Sequence, residues 1–127
     1  MPSTEEAFRR LTIGDPGLIG AMANPSQQDP GLHRLDERTE ALLRIGALVA
    51  LDAPQSSYLV AVAAAQRAGA ALEDVLGVVV AVAGTVGSAR VISAAPRIAL
   101  AAGYDVEAAL EENDPSNHGR TDPPARS

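Results

Sequence analysis

Four side chains in this sequence carry groups that could bind or transform a small molecule. Tyr58 and its neighbour Ser57 carry hydroxyls, and Arg44 and Arg90 carry guanidinium groups near apolar sequence. A tyrosine hydroxyl can act as an acid or donate a hydrogen bond, and an arginine can hold a carboxylate through two parallel hydrogen bonds. We therefore take Tyr58 and Arg90 as candidate catalytic residues, and Ser57 and Arg44 as candidate ligand-binding residues.

Each candidate also has an ordinary structural explanation. A buried tyrosine packs its ring and usually finds a local hydrogen-bond partner, and Ser57 is then a polar residue in the first turn of a helix. Arginines near a core more often form solvated or inter-subunit ion pairs. Arg90 is the best of the arginine candidates, because it follows Gly87 and Ser88 within otherwise apolar sequence. Residue types and spacing leave both interpretations open.

The composition excludes several kinds of chemistry. The chain of 127 residues has no cysteine, so disulfides, thiolate metal sites and thiol redox catalysis are excluded. All ten basic residues are arginine, which excludes a lysine Schiff base. His33 and His118 lie in loop-like sequence without neighbours at ligand spacing, so we predict no metal site and no cofactor.

The charge and apolar patterns also limit the partners. The net charge is −6 and the arginines are scattered, which argues against nucleic-acid binding. Charged residues interrupt the N-terminal sequence where a secretory segment would be apolar, and the longest apolar run is too short to cross a membrane. We therefore predict a soluble, cytoplasmic protein without a membrane partner.

The elements that must position the candidates are organised around Leu72–Gly103, the most apolar stretch of the chain. Val75–Gly84 contains no polar side chain, and such a run fits a buried strand as well as a helix. Glu73 and Asp74 favour the helix, because carboxylates are stabilised in a first helical turn. A helix with no polar side must be buried inside protein. We expect the neighbouring helices of the chain to cover only part of it and subunit contacts to cover the rest, with a break at Gly84–Gly87.

The rest of the pattern predicts an all-α fold, a compact bundle of about five to six helices. The helix after the break is expected to contain Pro96 and to end at Gly103. Residues 1–34 are predicted to form an arm with short helices, 35–112 the helical domain, and 113–127 a disordered tail. Further helices are predicted over Thr4–Leu11, Pro16–Ala23, Asp36–Leu51, Pro54–Ala68 and Val106–Glu112.

Three segments together resemble the carboxymuconolactone decarboxylase family, which is related to the alkylhydroperoxidase D-like proteins. They are LDERTEALLRIGALVALDAP from Leu35, RAGA from Arg67, and LEDVLGVVVAVAGTVGSARV from Leu72. The resemblance covers Leu35–Leu110. It implies an all-helical fold, assembly into trimers, hexamers or larger rings, and an active site on the helix that carries Ser57 and Tyr58.

The family's chemistry does not transfer to this sequence. Hydroperoxidase-type members carry a glutamate, two cysteines and a histidine, which would fall at Leu42, Pro54, Ser57 and Ala61. The decarboxylase-type histidine also falls at Ala61. The resemblance therefore implies a relative without thiol peroxidase activity, and it leaves open whether the chain is an enzyme at all.

Two functions remain from the sequence. In the first, a decarboxylase-like protein binds or converts a small lactone or carboxylic acid in an apolar pocket. In the second, a non-catalytic homo-oligomer of the same family serves as a scaffold or accessory protein. Both predict a homo-oligomer, because an alanine-rich core with 2% aromatic residues buries little area per residue. The family resemblance implies that a trimer or hexamer is favoured.

Overall fold

The computed structural model describes residues 3–23 and 35–104. All regular elements in these two ranges are α-helices, which confirms the predicted all-α fold. The chain divides into two units, Met1–Leu35 and Asp36–Ser127. The predicted helix over Val106–Glu112 and the predicted tail lie outside the described residues. No helix within the described ranges has the length and apolar character needed to cross a membrane.

The first unit contains two short helices whose bounds follow local capping. Helix α1 spans Thr4–Thr12, and the Ser3 hydroxyl caps it by accepting the Glu6 amide hydrogen bond at 3.1 Å. Helix α2 spans Pro16–Ala23. Between them Asp15 accepts hydrogen bonds from the Arg10 Nε at 2.8 Å and the Gly17 amide at 2.9 Å, which together hold the pKa of its carboxyl below the usual value.

The second unit contains four described helices. They are α3 (Glu37–Leu51), α4 (Gln55–Arg67), α5 (Leu72–Val86) and α6 (Ser88–Ala101). Helix α3 packs against the other three, and α5 packs against α3 and α6. Gly69 and Gly103, predicted to follow helix ends, both have positive φ there, and Pro96 lies inside α6.

Two predicted helix ends are wrong in detail. Helix α5 continues through Gly84 to Val86, and the break is Gly87 alone, which has φ +89° and ψ 157°. Pro54 lies at the N-cap of α4 rather than in its first turn. Asp36 occupies the N-cap of α3, as the sequence predicts, although its side chain accepts no capping hydrogen bond. Glycine is tolerated in a helix when packing supports the turn, so Gly84 by itself does not end α5.

The core of the second unit is aliphatic around a single aromatic ring. Small residues on α3 and α4 let these helices approach closely. The fully buried large side chains are Tyr58, Ile45, Val49, Val62 and Val75, and the alanines among them include Ala41, Ala61, Ala65 and Ala94.

Within one chain the apolar run in α5 is covered on one side only, which agrees with the expectation that the neighbouring helices cover part of it. Val75 and Val79 are buried, but Leu76 is 61% exposed and Val80 is 67% exposed. Helices α3 and α6 cover only one side of α5, and no other described helix of the second unit covers the opposite side. A continuous apolar sequence shows that a helix needs cover, and it does not say which chain supplies it.

Helices α3 and α5 run in the same direction and contact each other near their N-termini and again near their middles. Near their N-termini, Arg38 pairs with Asp74 at 2.8 Å, and Asp74 also accepts the Ala71 amide hydrogen bond at 2.8 Å. The Ala71 amide and then Arg38 hold the pKa of the Asp74 carboxyl below its usual value. The stabilisation is therefore present at neutral pH and is lost in acid, as the pH falls through that lowered pKa.

Further along, α3 meets α5 at Gly46. A Cβ atom on Gly46 would lie 3.3 Å from a methyl carbon of Val78 and 3.3 Å from one of Val82. These distances are short enough that the neighbouring side chains would have to give way. The absence of a side chain at this position sets the separation of the two helices.

Replacing Gly46 with valine is expected to lower the free energy of unfolding by about 1–3 kcal/mol, because the added methyl groups overpack this contact. Chemical denaturation measures the change. The control is Ala95→Val, at an exposed position of α6, which is expected to cost only a few tenths of a kcal/mol from helix propensity. Equal effects of the two substitutions would contradict the close approach at Gly46.

Candidate functional site

Tyr58 lies on α4 with its side chain fully buried in the core. Its hydroxyl has no hydrogen-bond partner among the described residues, whereas a local partner was one of the two sequence expectations. Burial raises the pKa of the hydroxyl, nearby Arg97 opposes the rise and nearby Asp52 adds to it. Tyr58 is therefore a neutral hydrogen-bond donor at physiological pH, held beside an arginine that the sequence did not single out.

The other three candidates make no hydrogen bond or ion pair with the Tyr58 side chain among the described residues. Arg90 is exposed in the first turn of α6 and pairs with no described residue. Arg44 is exposed on α3 and pairs with Glu40 at 3.7 Å. Ser57 is half-buried, and its amide donates to the carbonyl oxygen of Pro54 at 3.1 Å. Within residues 3–23 and 35–104, no hydrogen bond or ion pair joins any two of the four candidates.

The positions implied by the family resemblance hold no acid or base. Ala61 is buried in the core, and Pro54 is exposed at the start of α4. Leu42 is half-buried on α3. These positions can supply packing and shape, but no proton transfer.

A polar cluster that sequence reasoning missed connects the turn after α3 to α6. Asp52 has φ +51°, and its Oδ1 accepts hydrogen bonds from the Ser93 hydroxyl at 2.8 Å and from Arg97 at 3.3 Å. The Arg97 guanidinium also donates to the Ala53 carbonyl oxygen at 3.0 Å. The Gln55 side-chain amide donates to the Arg97 carbonyl oxygen at 2.7 Å. We call Asp52, Gln55, Ser93 and Arg97 the α3–α6 tie.

The α3–α6 tie fits a structural link better than a catalytic site. Its named side chains satisfy one another or backbone carbonyl groups, which positions α6 against the end of α3. A sequence signal for it existed: Ser93 and Arg97 are four residues apart, and so share one face of α6. Their acceptor is more than forty residues earlier in the chain, at Asp52, which helical spacing cannot reveal.

A second feature is an apolar groove between α3 and α5, with a volume of about 450 Å³. Of the described residues that line it, only Thr39 and Thr85 are polar, and none is charged. The α3–α5 groove is lined by Thr39, Leu42, Leu43, Gly46, Ala47, Ala50, Val78, Ala81, Val82, Thr85 and Val86.

The α3–α5 groove can bind an apolar group but offers little chemistry. Thr39 and Thr85 can each donate one hydrogen bond. No general acid or base among the described residues lines the groove, and no group of three or more potential metal ligands occurs in the described part of the chain. None of Tyr58, Arg90, Ser57 and Arg44 lines it.

Comparisons of the chain with protein families, with curated proteins and with solved structures find no match.

Removing the Tyr58 hydroxyl by Tyr58→Phe is expected to leave the free energy of unfolding unchanged or to raise it by up to about 1 kcal/mol. The reason is that a buried hydroxyl without a partner carries a desolvation cost that phenylalanine lacks. Thermal and denaturant unfolding measure the change, with Tyr104→Phe at an exposed position as the control. A loss of stability of about 1 kcal/mol or more would show that the hydroxyl is hydrogen-bonded in solution.

Proposed function

We propose that this protein is a non-catalytic homo-oligomeric subunit, a scaffold or accessory protein of the carboxymuconolactone decarboxylase-like type. In this proposal another copy of the chain covers the surface formed by α3 and α5. The observation that carries it is the exposed apolar surface beside the α3–α5 groove. We call that surface the α3–α5 face and define it as the groove together with Leu76, Gly77, Val80 and Gly84.

Large apolar side chains are exposed across the α3–α5 face. Leu43 is 57% exposed on α3, and Leu76 and Val80 on α5 are more exposed still. Contiguous apolar patches of more than a few hundred Å² are rare on soluble monomers. The rest of the face is alanine, glycine, valine and Leu42, with Thr39 and Thr85 as its polar residues and no charged residue. Leaving such a surface in contact with water is unfavourable.

The expected energy of self-association has the right magnitude. Full burial of a leucine or valine side chain contributes about 1.5–3 kcal/mol, and a symmetric contact buries Leu43, Leu76 and Val80 from both copies. Their partial exposure reduces each contribution, and the sum is still on the order of 10 kcal/mol. The rigid-body cost of association is about 4–15 kcal/mol. The neighbouring alanines and the groove wall must therefore also be buried for the complex to be stable.

Catalysis is less well supported than association. Ligand pockets usually combine apolar walls with a few convergent polar groups that fix orientation. The α3–α5 groove has two threonine hydroxyls as its polar groups among the described residues. The titratable side chains that the sequence suggested for catalysis lie elsewhere.

A second candidate function, the binding of a small lactone or carboxylic acid, is supported by Tyr58. Its buried hydroxyl lacks a partner among the described residues and lies near Arg97. A carboxylate could accept from both groups.

Under the second candidate, benzoate or γ-butyrolactone in millimolar excess raises the melting temperature of the wild type. Ligand that binds only the folded state stabilises it by mass action. The Tyr58→Phe variant is expected to lose most of the shift. No shift in the wild type, or equal shifts in both proteins, would contradict binding through the Tyr58 hydroxyl.

For the proposed homo-oligomer, light scattering during size-exclusion chromatography at low micromolar concentration is expected to give a multiple of the 13.0 kDa subunit mass. Val80→Asp is expected to weaken association on the order of 100-fold, because it places an unpaired carboxylate in an apolar contact. The control is Val60→Asp on α4, where Val60 is 71% exposed, and this variant is expected to retain the α3–α5 contact. A folded wild-type monomer at this concentration would refute the proposal.

A further inference from the structure

The exposed surface of α5 has the shape and charge of a symmetric contact. We infer that a second copy of the chain lies on the α3–α5 face with its own α5 helix, antiparallel to the first and crossing it near Val80 on a twofold axis. This inference rests on the proposed self-association, and it specifies which element of the second copy occupies the face.

The first argument is the row of residues at the centre of the exposed side of α5. Glu73, Gly77, Val80 and Gly84 are spaced by four, three and four residues, so they share one side of the helix, and all four are exposed. Leu76 and Ala81 flank this row, and Ala81 also lines the α3–α5 groove. A helix placed on the row would therefore contact Leu76 and cover the edge of the groove at the same time.

The second argument is electrostatic. Glu73 lies in the first turn of α5, and Arg90 lies just beyond its last turn, at the start of α6. Both side chains are exposed, and neither pairs with any residue in the described ranges. Among the described residues, an unpaired negative charge therefore lies in the first turn of α5 and an unpaired positive charge lies just beyond its last turn.

This charge arrangement selects the antiparallel orientation. Glu73 and Gly87 each lie seven residues from Val80, which is about 10 Å along a helix. Antiparallel helices that cross at Val80 bring Glu73 of one copy beside Gly87 of the other, which follows the end of α5 and precedes Arg90 by three residues. Parallel helices related by a twofold axis would instead bring the two acidic first turns together and align the helix dipoles unfavourably.

The glycines supply the room for close contact. A glycine inside a helix costs about 1 kcal/mol relative to alanine, and a Cβ atom at Gly77 or Gly84 would meet no atom within 4 Å among the described residues. Internal packing therefore explains glycine at neither position, in contrast to Gly46. In the antiparallel contact, Leu76 of one copy lies over Gly84 of the other, because both are four residues from Val80.

The symmetry of this contact limits the assembly. A contact in which the same residues meet each other requires a twofold axis, and purely threefold rings do not contain one. The inference is therefore compatible with a dimer or with a hexamer of dihedral symmetry, and it is incompatible with the trimer that the family resemblance also allowed.

Cysteine cross-linking tests the inference, because the natural chain has no cysteine. In the full-length protein, Val80→Cys places a single thiol at the crossing point, where the two sulfurs can meet in disulfide geometry. Under mild oxidation at low micromolar concentration, most of this variant is expected to migrate as a disulfide-linked dimer. The matched controls Val60→Cys and Ile92→Cys, each at a position 71% exposed, are expected to remain largely unlinked.

The outcomes separate this inference from the proposed function. A wild-type monomer in light scattering would refute both. An oligomeric wild type whose Val80→Cys variant is linked no more than the controls would overturn the antiparallel α5 contact and leave self-association standing.

Charge exchange provides an independent check. Glu73→Arg and Arg90→Glu are each expected to raise the dissociation constant by about fivefold, as expected for loss of an ion pair at the rim of a contact and its replacement by repulsion. The double variant is expected to return to within about twofold of the wild type, because the pair is restored with its signs exchanged. Additive weakening in the double variant would overturn the proposed pairing of Glu73 with Arg90.

Discussion

The contact of α3 with α5 at Gly46 is the constraint on which the rest of the second unit depends. Without a side chain at Gly46, Val78 and Val82 lie directly against α3. The Arg38–Asp74 pair holds the same two helices together near their N-termini. Since α3 also packs on α4 and α6, its separation from α5 determines how all four helices share a core that contains a single buried aromatic ring.

This close contact has an outward consequence. Two helices that run side by side leave a groove on their solvent side, and the small residues that allow the contact also make the groove wide. The larger α5 side chains Leu72, Leu76 and Val80 lie outside the core. The small residues that allow close packing inside the chain therefore also leave the α3–α5 face uncovered in one chain.

Much of the fold could be predicted from the sequence because its signals are local. The Ser3 cap, Pro16 and Gly103 mark helix ends through interactions within one turn, and the predicted helices agree with them. Incomplete cover of α5 was expected, but the sequence could not show that Leu76 and Val80 are the residues left exposed, since an uninterrupted apolar run contains no information about which side its neighbours cover. Gly84 misled for a related reason, because glycine can end a helix or lie within one.

The candidate site was harder to predict than the fold. Tyr58 was correctly identified as a hydroxyl in a helix near the core, but the arginine near it is Arg97 rather than Arg90. The α3–α6 tie joins residues more than forty positions apart, and such pairings follow from tertiary packing alone. Without aligned relatives, a polar residue in a turn such as Asp52 has no sequence feature that distinguishes it from other turn residues.

Gly87 controls the direction in which α6 leaves α5. It is the entire connection between α5 and α6, and its φ of +89° with ψ of 157° is a backbone state that residues with a Cβ rarely adopt. Since a single residue forms the joint, its φ and ψ set the angle between the two helices. A side chain at position 87 would strain this backbone state, and any change of the joint would shift Ser93 and Arg97 relative to the turn that follows α3.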